Sequence, residues 1–107
     1  MKILNMKDMI GGWFVGNFEP TAYKTEDFEV SYKTHKCGEK VDYHYHSVVT
    51  EINFLIKGKM IMQNIELNAG DIFILHPFEV ADPEFLEDTQ LICVKTPSSN
   101  DKVLIKS

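Results

Sequence analysis

Residues 38–58 read Gly-Glu-Lys-Val-Asp-Tyr-His-Tyr-His-Ser-Val-Val-Thr-Glu-Ile-Asn-Phe-Leu-Ile-Lys-Gly. The period is two: Asp42 to His46 alternate, and Glu51 to Ile56 alternate again, as half-buried strands do. The chemistry is concentrated: Gly38, five residues, His44, one residue, His46, four residues, Glu51, six residues, Gly58. His44 and His46 stand two apart on an expected strand, so both imidazoles leave one face and Tyr43 and Tyr45 the other. Ser47 to Thr50 suffice to turn the chain into an antiparallel neighbour, which brings Glu51 to the start of that strand. Neighbouring strands lie about 4.8 Å apart, so one carboxylate converges with two imidazoles at the mouth of the sheet. Two His and one carboxylate with open positions suit divalent iron and, with small changes, zinc, manganese or nickel. A lone histidine in a strand would be an ordinary core or surface residue. Two on one face, with an acid at this spacing and a turn glycine at each end, point to a metal.

The same period runs outward on both sides. Phe28, Val30, Tyr32 and Thr34 alternate with Glu29, Ser31 and Lys33, again a half-buried strand. Trp13-Phe14-Val15 is an early strand, followed by a turn at Asn17 to Pro20. Lys57-Gly58-Lys59 reads as a short turn before Met60-Ile61-Met62, so residues 51–63 are expected to form a hairpin. Asn68-Ala69-Gly70-Asp71 is a second turn and leads into the strand Ile72 to Leu75. Pro77 marks a loop or sheet edge, and Glu84 to Thr89 has room for one helical turn. Leu91 to Lys95 is the last strand expected. The Pro-Ser-Ser-Asn-Asp run at 97–101 then ends the compact body, leaving 97–107 as a polar tail. No window of a dozen residues carries a helical stripe. Many short strands at regular spacing, broken by Gly, Pro and Asn, predict an all-β sandwich or barrel. With 107 residues the chain has the length of one domain.

Residues 38–58 resemble the first conserved motif of the cupins, with the glycine, both histidines, the glutamate and the closing glycine in place. The resemblance implies a double-stranded β-helix, or jelly-roll, barrel in which His44, His46 and Glu51 are metal ligands. Residues 70–82 resemble the second cupin motif, beginning Gly70-Asp71-Ile72-Phe73-Ile74-Leu75. On this reading the single domain, 1–107, has N-terminal strands in 1–34 and the two motifs at 38–58 and 70–82. The second motif departs from the family at its histidine, expected five residues after the proline. Counting from Pro77 lands on Asp82; counting from Gly70 lands on Ala81. Asp82 is taken as the fourth ligand, because Pro77 should fix the chain's direction after the strand. His76 is the alternative, since it shares a face with Ile72 and Ile74 and points inward if they do. Asn53 lies on Glu51's face and is read as substrate-binding. His35, beside a turn, is read as an exposed side chain, and no catalytic acid or base is assigned.

Composition bounds the partners. Eleven cations, all lysine, stand against sixteen acids, a net charge of −5. The lysines are scattered singly along the chain, which argues against a nucleic-acid surface. Without arginine, a carboxylate or phosphate ligand would be held by Lys, backbone amides or a metal. No apolar run nears the roughly 20 residues of a membrane span, and Lys7 and Asp8 interrupt any signal peptide. A cytoplasmic location is expected, with Cys37 and Cys93 as free thiols. A homodimer is expected too, from the apolar Trp13-Phe14-Val15 and because the resemblance implies it. The function predicted is that of a metal-dependent enzyme acting on a small polar molecule, by isomerase or oxygenase chemistry. The alternative is a non-catalytic binding or sensing module.

Overall fold

In the computed structural model, residues 1–105 are described, and they form ten strands and one short 3-10 turn, Met6–Asp8. The strands are β1 (Trp13–Val15), β2 (Glu29–His35), β3 (His44–His46), β4 (Thr50–Lys57), β5 (Lys59–Met62), β6 (Ile65–Asn68), β7 (Ile72–Leu75), β8 (Glu84–Phe85), β9 (Thr89–Thr96) and β10 (Lys102–Leu104). They assemble into a five-stranded sheet in the order β1-β2-β9-β4-β7, a three-stranded sheet β6-β5-β8 and the pair β10-β3. The pairings between these strands are antiparallel. The all-β expectation holds. Leu55, Met60, Met62, Leu75, Ala81, Phe85, Leu91 and Cys93 form the core between the sheets. Full burial of a Leu or Met side chain contributes about 1.5–3 kcal/mol, and this small cluster carries the barrel's apolar stabilisation.

Three expectations are corrected. The hairpin over 51–63 does not form: β4 pairs with β7 and β9, while β5 pairs with β6 and β8. Only Gly58 separates β4 from β5, one residue short of the two that a tight hairpin loop needs. At φ +101° it takes the chain from one sheet to the other, and a Cβ there would sit 2.5 Å from the Asp88 carbonyl oxygen. The hairpin lies one strand later. Gln63 and Asn64 both have positive φ (50° and 62°), and Met62 pairs with Ile65 around them, a two-residue turn of the type that matches strand twist. The helical turn expected at Glu84 to Thr89 is instead β8 and the start of β9. Last, 97–105 is no tail. β10 pairs with β3 in the register Lys102 to His46, Val103 to Tyr45 and Leu104 to His44. The polar run at 97–101 is the connection that carries the chain to that pairing; residues 106–107 lie outside the described residues.

The large sheet turns an unexpected face inward. Ser31 on β2 is fully buried, and Glu29, Lys33 and His35 share its side by alternation. The apolar alternates face out in two cross-strand rows: Tyr32, Ile92, Phe54 and Ile72, then Val30, Val94, Ile52 and Ile74. A polar interior row and an apolar exterior row reverse the usual pattern, and both have consequences below.

Candidate metal centre

β3 and β4 bring His44, His46 and Glu51 together. One potential ligand atom from each lies within 4.8 Å of the others. The imidazole centroids are 5.2 Å apart with the rings at 86°, so the two side chains present their nitrogens without stacking. The triad lines a cavity of about 290 Å³ between the sheets, with Asn53, Phe73 and Ala81 in its wall.

The triad is held from behind. Asp101 Oδ1 lies 2.7 Å from His46 Nδ1, and Asp101 Oδ2 accepts the Val48 and Val49 backbone N–H groups at 2.7 and 2.9 Å. This grip on Nδ1 leaves His46 Nε2 for the cavity, 3.6 Å from Glu51 Oε1, an ionic contact longer than a hydrogen bond. Asn53 is buried, and its Nδ2 donates to Glu51 Oε2 at 3.4 Å. Its expected place on Glu51's face holds; its hydrogen bond goes to the carboxylate.

Electrostatics separate the two histidines. The neighbouring Glu51 carboxylate raises the pKa of His46; burial opposes this and Asp101 supports it. Burial, then the nearby Lys102 charge, lower that of His44. Burial pushes Glu51 up, yet the contacts from His46 and Asn53 with both imidazoles outweigh it and hold the carboxylate low. Asp101 is likewise held down, to about 2: its burial is outweighed by His46 and the two backbone donors. Burial pushes the Cys93 thiol far up, so it sits beside the triad as a protonated core residue rather than a thiolate ligand.

Neither fourth-ligand candidate reaches the triad. Ala81 stands there instead: it bridges His44 through two backbone hydrogen bonds, of 3.2 and 2.7 Å, and its methyl group lines the cavity. The next residue, Asp82, accepts the Gln63 N–H at 2.8 Å, capping the hairpin turn. The residue reached by counting from Gly70, Ala81, is thus the one paired with His44, and the residue reached by counting from Pro77, Asp82, is engaged with Gln63. His76 follows the parity of Ile72 and Ile74, which are 68% and 46% exposed. It faces outward, and its Nδ1 lies 3.2 Å from Glu79 Oε2. Two further residues were assigned otherwise from sequence. Asp101 falls in the stretch expected to be a polar tail, and residues 102–105, Lys-Val-Leu-Ile, carry no alternation that marks a strand. His35 is not an exposed side chain: it stacks on Phe85 at 4.2 Å, holds Glu39 at 2.6 Å and lines the cavity's far end.

No known family's sequence profile matches the chain, and no curated protein matches it by sequence. Solved structures do match in shape. An uncharacterized conserved protein with a double-stranded beta-helix domain from Klebsiella pneumoniae is 23% identical over 78% of each chain, with a TM-score of 0.68. KdgF from Halomonas sp. is 21% identical over 72% of this chain and 76% of its own, with a TM-score of 0.65. Ectoine synthase from P. lautus is only 10% identical, yet it matches over 100% of this chain and 91% of its own at a TM-score of 0.66. At such identities the likeness is one of fold. With its antiparallel strands wound into facing sheets around an inward-facing His-His-Glu group, the chain has the double-stranded β-helix fold of the cupins.

Proposed function

We propose that the protein binds one divalent metal ion through His44, His46 and Glu51 and acts as an enzyme on a small polar molecule in the adjoining cavity. The observation that carries this reading is the convergence of the three ligand atoms within 4.8 Å on a cavity wall. The donor set fits a metal: two imidazole nitrogens and one carboxylate oxygen, with only the Ala81 methyl where a fourth side chain would stand, suit iron first, then manganese, zinc or nickel. When bound, such an ion supplies a Lewis acid that polarises a substrate oxygen, as isomerase chemistry requires, and iron adds the redox capacity of an oxygenase. The chain's residues do the rest. Asp101 fixes the tautomer and direction of His46, Asn53 steadies Glu51, and Met60, Phe73 and Leu91 exclude water from the cavity's apolar side. Among the solved structures similar in fold is a Streptomyces nucleoside dehydratase, Pac13, which supports catalysis as a use of such a barrel. A binding or sensing module without turnover is the second reading. It is favoured by one observation: Glu51 and Asp101 are both committed to His46, which leaves the exposed Asp42 as the only other carboxylate on the cavity wall among the described residues.

The experiment is metal analysis of the purified protein, then a thermal-shift screen of small molecules with that metal present. One equivalent of metal in the wild type, and none in Glu51→Ala, is the expected result. Equal metal in both would contradict the assignment.

We also propose that two copies associate through the outer face of the five-stranded sheet. Trp13, expected from sequence at the interface, lies in the cavity wall instead. The outer face of the sheet carries two apolar rows in which Ile52, Phe54, Ile72 and Ile74 are exposed, and a contiguous apolar face of this kind is normally covered.

A further inference from the structure

Lysines border the metal triad. Strand register sets Lys95 opposite Glu51 and Lys102 opposite His46, and cross-strand partners project to the same side. Two of the three ligands thus have a lysine as their immediate neighbour. Lys33 arrives from β2 on the same inward face. Its ammonium lies 4.7 Å from the centroid of the Trp13 ring, and that of Lys95 lies 4.8 Å from it. All three lysines line the cavity with the indole.

Their charge is only partly answered. Lys95 pairs with Glu29 at 3.1 Å, both side chains largely buried. Lys33 donates to a backbone carbonyl, Gly11 O, at 2.6 Å. Among the described residues no carboxylate lies within ion-pair distance of Lys33 or Lys102. Burial, with repulsion from Lys102 and Lys95, lowers the pKa of Lys33 against opposing contributions from Cys93 and the Glu51 carboxylate. Elsewhere in this acidic chain lysines are scattered; here three share one wall. Crowding like charges is unfavourable unless an anion offsets them, and a chain without arginine has only lysines and backbone donors to hold one.

We propose that the cavity binds a small organic oxyanion, a carboxylate or phosphate monoester, with its charged end between Lys33 and Lys102 beside Trp13 and its other end toward His44, His46 and Glu51. The placement deepens the metal-enzyme reading and rests on the same cavity, but the lysine half of the site needs no metal. The indole gives the ligand's carbon body an apolar wall, and about 290 Å³ sits at the small end of ligand cavities.

The test is calorimetric titration of succinate, methyl phosphate and neutral succinamide at low salt, into metal-stripped protein and into the same protein loaded with Mn²⁺. One equivalent of succinate, methyl phosphate or both is expected to bind the metal-stripped protein, with succinamide inert. Which of the two anions binds identifies the oxyanion. Lys33→Gln and Lys102→Gln should each weaken binding on the order of tenfold, as the loss of one close charge near a surface does, and Lys33→Arg should restore it. Lys102 is exposed on an edge strand, so its variant tests the site even if Lys33→Gln fails to fold. Equal binding of succinamide, or wild-type affinity in both glutamine variants, would overturn the proposal. So would anion binding that appears only with Mn²⁺ and ignores the lysines. Anion binding by metal-stripped protein that takes up no Mn²⁺ would instead uphold this proposal and sink the metal reading.

Discussion

Asp101 accepts from three donors at once: the His46 ring and the backbone N–H groups of Val48 and Val49. It therefore ties the orientation of a ligand to the shape of the turn between β3 and β4. Asp101→Ala should weaken metal binding by about 10–100-fold, the usual cost of losing the carboxylate behind a ligating histidine, whereas Asp82→Ala should leave metal affinity unchanged and cost only hairpin stability. Competition with a fluorescent chelator measures both. The same carboxylate predicts an acid limit. Held at about 2 in the fold against 3.8 ordinarily, it stays ionised where the unfolded chain takes up a proton. Its contribution, on the order of 1–2 kcal/mol, is complete above about pH 4 and disappears as pH falls toward 2. Urea unfolding of wild type and Asp101→Asn across that range should converge at the acid end; a constant gap would contradict the linkage. His44, His46 and Glu51 were legible in the sequence because strand period and spacing are local. Asp101 was not, because its partnership with His46 spans 55 positions and no local pattern encodes it. Ala81 and Asp82 differ by one residue of register around Pro77, and it is Ala81 that the backbone pairs with His44.

At the level of elements, the two motifs give the strands but not who pairs with whom. Period two identified β2 and β4 to within a residue at each end, since alternation is written in the sequence, whereas β7 was marked by the turn before it and β9 extends three residues beyond the expected Leu91 to Lys95. Pairing was misread where a glycine redirects the chain. Gly58 looked like a hairpin turn, yet its positive φ and its 2.5 Å approach to the Asp88 carbonyl mark a crossing between sheets. Gly58→Ala should therefore cost about 2–3 kcal/mol from strain and clash, lowering the melting temperature by about 10–20 °C for a domain of this size. A shift under 3 °C in a thermal melt would show that the crossing tolerates a side chain. The β10–β3 pair was missed because β10 is three residues long and fully exposed, so it carries no buried alternation to read. It nonetheless clamps the strand that bears both histidines, and deletion of residues 102–107 should weaken metal binding and melting together.

At the scale of the molecule, the large sheet sets a lysine-bordered cavity beside the apolar core on its inner side and two apolar rows on its outer side, the arrangement that the proposed ligand site within and the proposed second copy without both require. Phe54→Asp combined with Ile74→Lys should convert a dimer to a monomer in light scattering at micromolar concentration; a monomeric wild type would remove the outer face's assigned role. No helix among the described residues is long and apolar enough to cross a membrane. Metal binding by His44, His46 and Glu51 is measured in one titration. Chelator-stripped protein is titrated with Mn²⁺ while free Mn²⁺ is followed by electron paramagnetic resonance, in wild type and in His46→Ala, with the fold of each checked by circular dichroism. One bound ion per chain is expected in the wild type, and binding at least a hundredfold weaker in the variant. At a hundredfold excess over the dissociation constant the ion should also stabilise the wild type by about 2.7 kcal/mol. No saturable binding in folded wild-type protein, or the same isotherm in folded His46→Ala, would contradict a metal site at the triad.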